Sequence, residues 1–268
     1  MQKHPRNQHF EWQRRTGPCT FLNDDTAASY DRDGYFLLED AFTPAEVDEV
    51  IQAIDPIEAR VEKALRDQGG EYRIARADSI TFSIHLVKLS ETLKAFSRHP
   101  VFQGICRDII GPGARLYWDQ AVYKKPGTPE EFPWHQDNGY GFVEPQQYLT
   151  CWVALTDATI ANGCPWVVPG LHKEGTLKHE LGRLGYECIS NPENAVAVPA
   201  RAGSVVVFSS LTPHRTGPNL TDQTRRAYIL QYAPDGARKW PDLDLDGESG
   251  EPALQCDPDR QYYVDAAG

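Results

Sequence analysis

The sequence lacks a long apolar run. Nothing in it is sufficient to cross a bilayer, and the polar, basic opening over residues 1–15 has no hydrophobic segment of the kind a signal peptide needs. It also lacks a basic surplus. Lys and Arg total 27 against 38 Asp and Glu, a formal net charge of -11, which argues against nucleic acid or an anionic membrane surface as partner. No C-x-x-C pair occurs. The six cysteines (Cys19, Cys106, Cys151, Cys164, Cys188, Cys256) are scattered. Their even number would permit pairing, but without a secretion signal they read as reduced thiols of a cytoplasmic protein. Internal repeats and low-complexity tracts are absent too, so solenoid architectures are excluded.

What is present is 268 residues, enough for one domain whose core can surround a buried site. A polar arm covers 1–30, followed by a turn and a short buried strand in Asp33-Gly34-Tyr35-Phe36-Leu37-Leu38. Thr43-Pro44-Ala45-Glu46 is a helix start: Thr43 caps, Pro44 suits the first helical position and Glu46 completes a capping box. Val47, Val50, Ile51 and Ile54 then supply the apolar stripe. Two more helices are expected at 91–98 and 101–110, the latter ended by Gly111-Pro112-Gly113. Beyond residue 115 the texture changes to short apolar or alternating runs at 116–124, 148–156, 164–168, 204–208 and 226–232, separated by Pro/Gly turns. Regular short strands of this kind suggest an antiparallel sandwich or barrel. The expected organisation is a single domain over 1–268. It comprises the arm at 1–30, helical support at 33–114, a β core at 115–234 with a lid at 172–193, and an acidic tail at 235–268.

The chemistry concentrates in His135-Gln136-Asp137. On an extended strand residues i and i+2 project from one face, so this imidazole and carboxylate can grip one metal ion together. By itself the tripeptide is equally a decorated loop after Pro133. His214 lies at the exit of Ser204-Val205-Val206-Val207-Phe208, a β-branched run typical of a buried strand. Two histidines and one carboxylate would leave positions open on a non-haem Fe(II). Further on, Arg225 offers a planar guanidinium suited to a carboxylate in a buried pocket, and Thr216 a hydroxyl for the same group. Read alone, His214 is a solvated loop histidine and Arg225-Arg226 a basic strand edge.

Two decoys carry less. Asp242-Leu243-Asp244-Leu245-Asp246-Gly247 matches the start of a Ca²⁺ loop, but its twelfth position is Ala253 where a bidentate Glu is needed. His172 and His179, in the lid, are expected to face solvent.

The order strand, HxD, strand, lid, strand, His, turn, Arg, strand resembles the Fe(II)/2-oxoglutarate dioxygenases, and more narrowly the phytanoyl-CoA dioxygenase family. The matching residues are Trp134-His135-Gln136-Asp137, Trp152 in Cys151-Trp152-Val153-Ala154-Leu155, Asn162-Gly163-Cys164 and Pro169-Gly170-Leu171-His172. His214, Asn219-Leu220-Thr221-Asp222 and Arg225 complete the match, which spans 33–234. The resemblance implies a mainly β fold with flanking α-helices, a double-stranded β-helix (jelly roll, cupin-like). It implies iron held by His135, Asp137 and His214, and 2-oxoglutarate bound by Arg225 with help from Thr216, Trp152, Gln120 and an upstream lysine for which Lys88 is the match. The implied reaction uses O2, hydroxylates an unactivated C–H of a small organic substrate and releases succinate and CO2. Where the family often has Pro-Gly-Ser-His this chain has Leu171, which removes a hydroxyl but leaves the triad intact. The carboxylate at Asp137 disfavours a halogenase.

The substrate is less defined. Trp134, Asn138 and Tyr140, with Phe132 beside them and His85 upstream, are candidates for lining its pocket, though each could equally be a core or turn residue. The family name points to an acyl-CoA, yet no basic cluster suits the CoA phosphates. A soluble monomer or homodimer acting on a small molecule, without nucleic acid or membrane, is the expected form. Two alternatives stand beside this: a non-oxidative, metal-dependent cupin-type enzyme and a non-catalytic binding jelly roll.

Overall fold

The short β-branched runs become two facing antiparallel sheets. They are described in a computed structural model covering residues 1–241, 251–254 and 257–265; the acidic motif at 242–247 and Cys256 lie outside the described residues. In chain order the main elements are α1 (Asp24–Asp33), β1 (Tyr35–Leu38), α2 (Pro44–Asp67), β2 (Ile80–Ile84), α3 (Glu91–Phe96) and α4 (Pro100–Ile109). The β core follows as β3 (Ala114–Lys124), β4 (Phe132–His135), β5 (Leu149–Ala154), β6 (Pro165–Val167), β7 (Val205–Ser209), β8 (His214–Thr216) and β9 (Arg225–Pro234). The larger sheet has the order β1-β7-β5-β9-β3-β2, continued by two short strands at Ala75–Arg76 and Glu71–Tyr72. The smaller sheet runs Val196–Ala197, β6, β8, β4. Strands that neighbour in space but not in sequence close the pair into a double-stranded β-helix.

Both faces of the larger sheet are buried, which is why β5 and β7 read as continuous apolar runs rather than alternating ones. Alternation still decides which face each side chain serves. Cys151, Val153, Val205, Val207, Tyr228 and Leu230 pack under α2, α3 and α4 with Val50, Ile54, Phe96, Phe102 and Ile105. Trp152, Ala154, Val206, Phe208, Ala227 and Ile229 face the interior between the sheets, against Val167 from the smaller one. Each fully buried aliphatic or aromatic side chain contributes about 1.5–3 kcal/mol, so the helical layer and the interior stabilise the sheet from opposite sides.

Helix α2 starts as the capping box requires. Thr43 Oγ1 accepts from the Glu46 amide at 3.3 Å and Glu46 Oε2 accepts from the Thr43 amide at 2.8 Å. The polar arm is tied down, and part of it is the helix α1, capped by Asn23. Asp108 on α4 holds the chain ahead of α1 by accepting from the amides of Thr20, Phe21 and Leu22 at 2.8–2.9 Å. Asn7 donates to the carbonyls of Glu174 and Thr176. At the other end, residues 257–265 return to the body: Tyr262 and Val264 are buried, and the Val264 amide donates to the Ala114 carbonyl at 3.0 Å.

The lid region differs from its expectation. His172 is buried, its ring edge-on to Trp12 at 4.3 Å, because Gly34 at the C-terminus of α1 leaves room for it; a Cβ there would sit 2.4 Å from His172 Nδ1. His179 is half-buried and its Nε2 accepts the Gln136 amide at 2.9 Å. Neither faces solvent as expected: His172 seats the segment against the N-terminal arm and the end of α1, and His179 ties it to β4's exit. The remainder of the segment forms a hairpin, Glu180–Gly182 against Gly185–Glu187.

Candidate metal centre

Strands β4 and β8 are antiparallel neighbours in which His135 and His214 are register partners, so residues far apart in sequence present imidazoles side by side, 4.1 Å between ring centroids. Asp137 follows two residues after His135, at the start of a 3-10 turn over Asp137–Gly139. Its Oδ1 lies 4.0 Å from His135 Nε2 and 3.8 Å from His214 Nε2. Among the described residues this is the group whose ligand atoms converge, all within 4.8 Å of one another.

The surroundings orient each member. His135 Nδ1 donates to the Pro133 carbonyl at 2.8 Å and His214 Nδ1 to the Thr212 carbonyl at 3.0 Å. A carbonyl can only accept, so the proton sits on Nδ1 and the Nε2 lone pair faces inward, the tautomer a metal ligand needs. Burial and the neighbouring His214 pull the His135 pKa down to about 3, and burial takes His214 to about 4. Both imidazoles are therefore neutral at physiological pH. Burial raises the pKa of Asp137, opposed by His135, by Thr150 Oγ1 donating to Oδ2 and by Gln231. One carboxylate oxygen is thus held by protein while the other points at the histidines. Phe208 and Phe132 pack against His214 and His135, with ring centroids 4.2 Å and 4.8 Å away, and restrict water.

Arg225 opens β9 with an even sequence offset from Ala227 and Ile229, so it shares their interior face. It is 0 % exposed, its guanidinium lies 5.3 Å over the Trp152 ring, and its three nitrogens have no hydrogen-bond partner among the described residues. Burial lowers its pKa to about 10. A buried guanidinium left unpaired is costly and rare, and a carboxylate is its natural complement. Thr216 stands two residues beyond His214 on β8 and faces the same way. Gln120 lies on the interior face of β3, where its Oε1 accepts from Trp118 Nε1 at 3.2 Å. Lys88, in contrast, sits at the rim in an ion pair with Asp257 at 3.6 Å.

The residues expected to line a substrate pocket separate into two kinds. Tyr140 stands edge-on to His135 at 5.3 Å and accepts the Tyr186 amide, which joins the hairpin to the site. His85 holds a left-handed backbone (φ 57°) and packs on Trp118 at 4.4 Å. Trp134 points away from the triad and meets Arg215, and Asn138 is buried with its amide spent on Thr176 Oγ1 and Val143. These two build the scaffold. Thr150 and Gln231 escaped the sequence reading; their signal was a polar side chain on the interior face of an otherwise apolar strand. A cavity of about 300 Å³ opens beneath the hairpin tip, lined by Ile74, Ile80, Lys124, Phe132 and Leu184 among others. Lys124 is the register partner of Arg225, so the cavity lies at that end of the barrel.

Comparison with known proteins follows the same line. The family model for phytanoyl-CoA dioxygenase (PhyH) matches residues 30–227. A phytanoyl-CoA dioxygenase of Arabidopsis thaliana is 30% identical over 125 residues, 44% of each chain, so the match spans under half of that relative. An ectoine dioxygenase of Bordetella parapertussis is 28% identical over 238 residues, covering 79% of this chain and 75% of its own. Among solved structures, the epimerase SnoN in complex with Fe3+, alpha ketoglutarate and nogalamycin RO superimposes with a TM-score of 0.70 at 23% identity, over 90% of this chain and 98% of that one, a likeness of fold.

Proposed function

This chain belongs to the phytanoyl-CoA dioxygenase family, and on that premise we propose that it is an Fe(II)- and 2-oxoglutarate-dependent dioxygenase that hydroxylates an unactivated C–H of a small organic molecule, releasing succinate and CO2. His135, Asp137 and His214 would hold the iron, and Arg225 would bind the far carboxylate of 2-oxoglutarate. The observation that carries the reading is the buried, unpartnered guanidinium facing the same interior as a convergent two-histidine, one-carboxylate set. A non-oxidative cupin-type metal enzyme or a binding jelly roll has no use for that cation.

Iron bound there supplies the activation of O2 that couples decarboxylation of the co-substrate to C–H oxidation. The protein's part follows from its geometry. Neutral imidazoles with fixed tautomers bind without first losing a proton. Thr150 holds Asp137 Oδ2, so Oδ1, which faces the two histidines, would be the oxygen offered to a bound ion, and Gln231 adds a further hydrogen bond to the carboxylate. Trp152, which lies under the Arg225 guanidinium, Thr216 and Gln120 would flank the co-substrate chain. Phe132, Phe208 and Tyr140 exclude water from the reacting side. Lys88 is a weaker co-substrate candidate, its charge being spent on Asp257.

The reading extends to a small-molecule partner and, given a net charge of -11, to no dependence on nucleic acid or anionic membranes. No helix among the described residues is long and apolar enough to cross a membrane. A cytoplasmic monomer or homodimer is the form proposed. The test is succinate release from 2-oxoglutarate across a panel of small organic acids, amines and their amides. Release must require Fe(II) and disappear in His135→Ala; turnover surviving in that variant would refute the assignment.

A further inference from the structure

The Arg225 end of the barrel buries a second cation. Lys124 is 0 % exposed and stands opposite Arg225 in the β3–β9 register. Its Nζ donates to the Gly217 carbonyl at 2.6 Å and the Glu130 carbonyl at 3.2 Å, and no carboxylate pairs with it among the described residues. Gly217 follows the last residue of β8 and Glu130 precedes β4, so this one side chain braces the ends of both strands that carry the histidines.

Counting donors decides its state. A neutral amine has two N–H bonds, and two carbonyls receive them. The ammonium has a third, for which no further protein acceptor is in place among the described residues. An incoming carboxylate would supply it. We propose that Lys124 is uncharged before the co-substrate binds and takes up a proton as 2-oxoglutarate enters beside Arg225, so that co-substrate binding is coupled to protonation of this lysine. The proposal rests on the co-substrate reading above.

The charged groups facing Lys124 point the same way. Arg225 on β9 and Arg215 on β8 oppose its charge and Glu130 favours it; with burial as the main cause, they pull its pKa down to about 6. Arg215 is itself paired with Glu131, and Glu130 with Arg183 at 3.3 Å, so neither acid is free to neutralise the pocket. Bringing the far carboxylate of the co-substrate beside these two buried cations offsets the charge of Arg225 and favours the charged lysine.

The experiment is calorimetric titration of the Mn(II)-loaded full chain with 2-oxoglutarate, between pH 6 and 8.5, in buffers of differing ionisation enthalpy. The wild type is expected to take up about one proton per ligand at pH 8, and its affinity to weaken by up to roughly tenfold per pH unit above the ligand-free value. In Lys124→Arg, which is charged already, uptake should vanish and affinity should become flat with pH. In Lys124→Met, affinity should fall by about 10- to 100-fold, the worth of one charge-assisted hydrogen bond, again without uptake. A purely bracing role would lower the melting temperature of both variants but leave proton uptake in place. Uptake that persists in either variant, or wild-type binding without uptake, overturns the coupling while leaving the co-substrate reading intact. Failure of the wild type to bind 2-oxoglutarate removes both.

Discussion

Replacing Arg225 by Met should make the ligand-free protein more stable while abolishing its response to 2-oxoglutarate. The guanidinium is fully buried without a partner, and burial lowers its pKa from 12.5 to about 10. At 1.36 kcal/mol per pH unit, that drop corresponds to about 3 kcal/mol spent on keeping the charge in place. Methionine fills much of the same volume over Trp152 but forfeits the cation–π contact, worth about 1 kcal/mol. The net gain is about 2 kcal/mol, or a rise of about 4–8 °C in melting temperature for a chain of this size. Adding 2-oxoglutarate at a hundredfold excess over Kd to the Mn(II)-loaded proteins should stabilise the wild type by about 2.7 kcal/mol and leave the variant unmoved. The order of the two melting curves should therefore converge or invert on adding ligand. Differential scanning calorimetry in a buffer free of carboxylate and phosphate provides the measurement. A variant that melts below the wild type without ligand, or that still shifts with 2-oxoglutarate, would show that Arg225 is satisfied by the protein and does not await a carboxylate.

Two further outcomes follow from the same site and from the lid. Thr150→Val keeps the shape of its side chain but releases Asp137 Oδ2, and metal affinity by Mn(II) titration should fall by about 10- to 100-fold; a change under twofold would mean that Gln231 alone orients the carboxylate. His172, pulled by burial from 6.5 to about 4, is neutral in the fold, so the unfolded chain binds the extra proton between those values. Its contribution is complete above pH 6.5 and is lost as pH falls towards 4. Between pH 7.5 and 5 this amounts to about 2 kcal/mol of unfolding free energy. His172→Leu should flatten the loss by that amount in urea titrations at the two pH values, and an unchanged difference would place the acid sensitivity elsewhere.

Much of the site was legible in the chain. His135 and Asp137 announce themselves by strand spacing, and His214 by the β-branched run that delivers it. What made them one site was the β4–β8 register, a pairing between residues nearly eighty positions apart that no local pattern encodes. The capping box at Thr43 was equally readable, because a cap is a contact between residues three apart. His172 and His179 were not, since polar residues in a Gly- and Lys-rich segment suggest solvent, and only the packing of Trp12 from the N-terminal arm on His172 and the Gln136 amide bonded to His179 decide otherwise. The return of residues 257–265 to the body was hidden for the same reason.

The amino-acid sequence alone determined the candidate ligand types, the strands that bear the two histidines, the β-rich class and the cation suited to a carboxylate, all matters of residue chemistry and short-range periodicity. Tertiary structure decided which polar side chains are wet and which are buried. It set Arg225 and Lys124 side by side without a counter-ion among the described residues, gave Asp137 its holders, and sorted Trp134 and Asn138 into the scaffold while leaving Tyr140 at the site. The reason is physical: burial, and the pKa and hydrogen-bond debts that come with it, depend on what the rest of the chain brings to a place, and that is a property of the closed barrel rather than of any segment within it.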